Sequence, residues 1–92
     1  MLREQGEHVA VEAAMTLPVA TALLEAGNAA LSRSARIFDL SGVAEVDSSG
    51  LAVVFGWVRE ARRLNASIRV VNPPKELLSL AEVYGVGDLL PL

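Results

Sequence analysis

The sequence predicts a single small α/β domain over residues 1–92, with a mixed β-sheet packed against helices. Three observations carry this. Short runs rich in β-branched residues alternate with longer segments whose apolar residues recur at helical spacing. The length of 92 residues leaves room for one domain with one modest core. The hydrophobic fraction of 52% is above the usual level for a globular chain and argues against disorder.

The first strand is read at "HVAVEA", His8 to Ala13, with branched residues at Val9 and Val11. "MTLPV" breaks it. Pro18 suits a first helical turn, where its missing N–H has no intrahelical partner to lose. Val19, Leu23, Ala26 and Ala30 follow at helical spacing, which predicts a helix from about Pro18 to Leu31. "RIFDL", Arg36 to Leu40, is the second strand, and "SGVAEV" links it to a serine pair. Leu51, Val54, Val58 and Ala61 then repeat every three or four residues. That predicts a helix from Ser49 to about Leu64, with Asn65 as its stop signal. "SIRVV", Ser67 to Val71, is the third strand and ends at "NPP". Pro74 can open a helix, and "KELLSLAEVYG" supplies one, with Gly85 as terminator. "VGDLLPL" reads as an extended or turned tail. Helices between successive strands fit parallel pairing for part of the sheet; the strand order stays open.

Composition removes several function classes. The net charge is −3 and Lys75 is the sole lysine, so nothing draws the chain to phosphate backbones in general. Arg59, Arg62 and Arg63 read as a solvated helix face. There are no cysteines, hence no disulfides, thiolate chemistry or cysteine-based zinc site. The one histidine, His8, cannot build a histidine metal site alone and reads as an exposed residue at a strand start. The uncharged stretch Ala13–Leu24 is too short to span a bilayer and contains Pro18. The polar "MLREQGEH" is unlike a signal peptide, so the expected compartment is the cytoplasm.

The stretch "DSSG", Asp47 to Gly50, stands at the mouth of the long second helix. Ser48 is a favoured N-cap type, and Asp47 is stabilised near a helix N-terminus, so one of the two is expected to cap. Gly50 lets the turn pack closely. A cap needs one short polar side chain, and here three stand together, leaving a hydroxyl free to face outward. Beyond the apolar stripe, Trp57 and Leu64 lie on an adjoining side, and Val53 and Phe55 toward the margins. Exposed apolar residues beside a polar helix mouth make a docking patch; burial of Val53, Phe55 and Trp57 under a loop is the alternative reading. Catalysis is not expected. A serine nucleophile needs a base within reach, "DSSGL" is not a G-x-S-x-G elbow, and no Gly-rich phosphate loop is present.

"IFDLSGVAEVDSSGLAVV", Ile37 to Val54, followed by a strand ending in "VNPP", resembles the STAS family over nearly the whole chain. The resemblance implies a small α/β module that binds partners and is not an enzyme; no cofactor or metal is expected. Two branches are similar. In anti-sigma-factor antagonists the serine directly after the aspartate is phosphorylated by an anti-sigma serine kinase; that position here is Ser48. The lead "GEHVAVEAAMTLP" and the close "LAEVYGVGDLLPL" are similar to the small STAS subunit of Mla-type phospholipid-transport ABC systems. That branch implies docking on a cytoplasmic ATPase, itself joined to a membrane permease. The expected contact is Ser48 with Asp47, Ser49 and Gly50, then Val53 and Trp57 along the helix. Neither nucleic acid nor direct membrane insertion is implied. The branch often has threonine where Ser48 stands, and the serine pair departs from it.

Overall fold

A computed structural model describes residues 1–92. The elements are β1 (Leu2–Gln5), β2 (His8–Val11), α1 (Ala20–Ser32), β3 (Ile37–Asp39), α2 (Ser48–Arg63), β4 (Arg69–Val71) and α3 (Lys75–Val83). Short 3-10 turns precede α1, at Leu17–Val19, and follow α3, at Gly87–Leu89. The four strands lie in the order β1-β2-β3-β4. β1 and β2 are antiparallel; β3 runs parallel to both β2 and β4. The sheet is therefore mixed, as expected: the strands that alternate with helices are parallel, and β1 adds the antiparallel pair.

The first strand is a correction to the sequence reading, which left residues 1–7 outside the sheet. "LREQ" is almost wholly exposed and shows no apolar alternation, so the hydrophobic pattern could not reveal it. Local geometry makes it a strand. Gly6 adopts φ +61 at the first loop position of a two-residue hairpin, where only glycine sits without strain. Arg33, just past α1, then clamps Glu4 through both carboxylate oxygens.

Strand period two sorts the sheet residues. Val9, Val11, Phe38 and Val70 point into the core and are almost fully buried. Their neighbours His8 and Arg69 are exposed on the other face. Parallel connections of the usual right hand, advancing in one direction across the sheet, place α1 and α2 on the same face. They pack together there. The Trp57 ring of α2 stacks on Phe38 at 4.5 Å between centroids, and its Nε1–H reaches the α1 carbonyls of Leu23 and Leu24 at 3.2 and 3.3 Å. Gly27 leaves the room for that ring, since a Cβ at this position would lie 2.0 Å from Trp57 Nε1.

The three α-helices end in one way. A left-handed residue follows each cap, namely Ser34 (φ 78), Asn65 (φ 56) and Gly85 (φ 70). The next amide then reaches back to the last turn: Ala35 N–H to Ala30 O, Ala66 N–H to Ala61 O and Val86 N–H to Ala81 O. This is the Schellman arrangement, which uses up carbonyls a helix end leaves unpaired. The tail returns to the sheet, where the Val70 amide donates to Pro91 O at 2.7 Å and Leu90 is buried.

Candidate docking site

Asp47, not Ser48, caps α2. Its Oδ1 accepts the amides of Ser49 at 2.8 Å and Gly50 at 3.4 Å. Its Oδ2 accepts the amide of Leu17 at 3.0 Å, from the segment before α1. One carboxylate thus holds two distant segments together. Those amides, Leu17 first and then Ser49 and Gly50, hold the Asp47 carboxyl below the usual carboxylate range, with the Ser49 hydroxyl adding to the effect. The backbone reinforces the joint through Met15, whose amide donates to Glu45 O at 2.8 Å and whose carbonyl accepts the Asp47 amide at 3.2 Å. Gly50 fits against that carbonyl: a Cβ there would stand 2.4 Å from Met15 O.

With the cap supplied by Asp47, Ser48 becomes the first helical residue and its side chain is exposed. It borders a groove of about 530 Å³ between the start of α2 and α3, lined by Val46, Asp47, Ser48, Lys75, Glu76, Ser79, Leu80, Val83 and Tyr84. The groove lies beyond the carboxyl ends of β3 and β4, where open α/β sheets place their binding crevices. A second clasp sets its far wall. Asn72, at φ 52, donates its amide to Asp39 Oδ1 at 3.1 Å, and the Ser41 amide donates to the same oxygen at 2.9 Å. These bonds, the Ser41 amide foremost, hold the Asp39 carboxyl low and fix the "NPP" turn from which α3 starts.

The rim is apolar. Leu17 is 70% exposed on the Asp47 side of the mouth, and Val83 and Tyr84 are 81% and 59% exposed across the groove. None of the three figures in the site expected from sequence. Leu17 lies outside the helical period. Val83 belongs to the helix read from "KELLSLAEVYG", of which only Leu77 and Ala81 are buried.

The structure groups Asp47, Ser48, Ser49 and Gly50 at the mouth of α2; Val53 follows one turn on, beside Ser49 in a shallow cleft against α1, and Trp57 lies a further turn on. Val53 and Trp57 are buried, at 4% and 0% exposure, so neither presents a docking surface of its own. The physical reason is α1, which covers the side of α2 that the sequence reading left as a free margin. Phe55 keeps a partly exposed position. His8 sits exposed at the start of β2, as expected.

The chain matches the family model described as "Mlab, STAS domain" over residues 1–91 and belongs to the STAS-domain family. A curated relative, the intermembrane phospholipid transport system binding protein MlaB of Haemophilus influenzae, is 41% identical over 51 residues. That alignment covers 55% of this chain and 49% of the relative, so the match spans about half the length of the curated protein. The resemblance read from "DLSGV" and "VDSSGL" is thereby confirmed at the level of the family.

Proposed function

We propose that this chain is a non-catalytic subunit of a phospholipid-transport ABC system and docks on the system's ATPase through the mouth of α2. The observation that carries the reading is the setting of Ser48. Its free hydroxyl stands at a helix start whose cap is fixed from two segments, between exposed Leu17 on one side and exposed Val83 and Tyr84 on the other. An apolar patch with an aromatic anchor and a polar centre has the composition of a protein–protein contact. Covering it removes apolar surface from water at about 25 cal/mol per Å². The name of the Haemophilus influenzae relative supports phospholipid transport as the setting. No helix of the chain is long and apolar enough to cross a membrane. In this reading the chain meets the inner-membrane face through its partner.

Tagged chain recovered gently from its own cells is expected to carry an ABC ATPase and its permease. Ser48→Arg places a bulky charge at the centre of the contact and is expected to weaken that complex by ~2 kcal/mol or more. The circular dichroism spectrum should stay unchanged, because Ser48 is exposed. Retention of the ATPase by the variant would remove the site. Recovery of a serine kinase with a sigma factor would replace the reading with a phospho-switch at Ser48.

A further inference from the structure

We infer that the outer side of α2 near its C-terminal end is a second docking groove, which takes an acidic segment of a partner polypeptide through an apolar anchor. The inference stands apart from the Ser48 reading, since Arg59 lies about 16 Å along the helix axis from Ser48 at ~1.5 Å per residue. The groove has a volume of about 440 Å³. Phe55 and Val58 of α2 form one wall, Val86 and Leu89 of the tail form the other, and Arg59 and Arg62 complete the lining. Leu89 is 65% exposed, so its wall is apolar surface left in water.

The charges identify the occupant. The ion pairs of the chain are Arg3–Glu12, Arg33–Glu4 and Arg63–Glu60, and neither Arg59 nor Arg62 belongs to one. Glu60 is taken by Arg63, leaving Arg59 and Arg62, both of which line the groove, outside any ion pair in a chain of net charge −3. Helix-end stabilisation accounts for Arg62 and Arg63 in the last turn of α2 but not for Arg59, which lies before it. A guanidinium fork matches a carboxylate with two parallel hydrogen bonds, and the arginine stems extend the apolar wall. A groove of this shape accepts one or two apolar side chains flanked by Asp or Glu. An anionic bilayer fits less well, because its field repels the chain's net negative charge and a flat surface leaves the concavity empty.

The test is an amide-shift titration of the full ¹⁵N-labelled chain with a capped, helix-forming dodecapeptide. The peptide carries one leucine and one phenylalanine a helical turn apart, and glutamates elsewhere. Its counterpart carries lysines in place of the glutamates. Saturable shifts are expected at Phe55, Arg59, Arg62 and Leu89 with the glutamate peptide. The double substitution Arg59→Glu, Arg62→Glu is expected to weaken that peptide by about tenfold, ~1.4 kcal/mol, and to favour the lysine peptide. Both arginines are exposed, and the spectrum of the variant itself reports whether the fold is kept. Equal binding of the two peptides to the unsubstituted chain, shifts confined to the Ser48 groove, or no saturable shift would overturn the inference. So would arginine-dependent sedimentation with phosphatidylglycerol vesicles in the absence of peptide binding, which would assign the groove to a lipid surface.

Discussion

Gly50 shows how one residue decides the shape of the candidate docking site. Alanine in a helix is favoured over glycine by about 1 kcal/mol. Here the added Cβ would stand 2.4 Å from Met15 O, a carbonyl already held by the Asp47 amide and so unable to step aside freely. Overpacking of this kind typically costs about 1–3 kcal/mol. The clash is expected to win, so Gly50→Ala should lower the midpoint of urea unfolding and weaken partner binding together, because Ser48 moves with the helix mouth. A variant as stable as the parent would show that the joint is slack. The wish for a small residue at this turn was legible in "DSSG". The atom it makes room for was not, because Met15 comes from another segment. Trp57 carries the same lesson with the opposite result. Helical spacing placed it beside the core stripe, but only the position of Gly27 on α1 shows that the indole is enclosed.

At the scale of the element, sequence patterns located every helix and three of the four strands, with ends differing by a few residues. The periodic apolar residues of α2 and the branched residues of β2 hold the information locally. β1 was missed because an exposed edge strand has no apolar face to betray it. Two of the three helix ends were legible too, since Asn65 and Gly85 are residue types that accept a left-handed conformation. The end of α1 was not announced, for Ser34 occupies the same conformation at φ 78 without being such a type. A side chain held there costs ~1–2 kcal/mol, while glycine gives back roughly 0.5–1 kcal/mol through its freer unfolded chain. Ser34→Gly is therefore expected to stabilise the domain by about 0.5–1 kcal/mol. For a chain of this size that is a rise in Tm of roughly 2–8 °C. An unchanged or lower Tm would show that Ser34 holds its left-handed conformation at no net cost.

Across the whole molecule, carboxylates fasten segments that are far apart in sequence. Glu4 ties β1 to the end of α1 through Arg33, Asp39 ties the loop after β3 to the "NPP" turn, and Asp47 ties the Leu17 segment to α2. All three carboxyls are held below their ordinary values. The cause is chiefly the Arg33 hydrogen bond for Glu4, the Ser41 amide for Asp39 and the Leu17 amide for Asp47. The unfolded chain has carboxyl pKa values of about 3.9–4.3 and so binds more protons than the fold just below that range. Stability from these three groups is thus complete above about pH 5, declines as the unfolded carboxyls protonate, and is lost as pH falls through the lower folded values. A series of Tm measurements from neutral to strongly acidic pH is expected to fall along that course. Asp47→Asn keeps an oxygen that can accept the Leu17 amide but has no proton to take up, so its Tm should start lower and decline less steeply with acid. A decline as steep as the parent's would show that Asp47 does not contribute to the acid response. Because Asp39 and Asp47 also set the two walls of the Ser48 groove, the same acid that lowers Tm is expected to loosen partner docking. The loss of docking should come first, since docking needs both walls in place while the core beneath them consists only of apolar side chains.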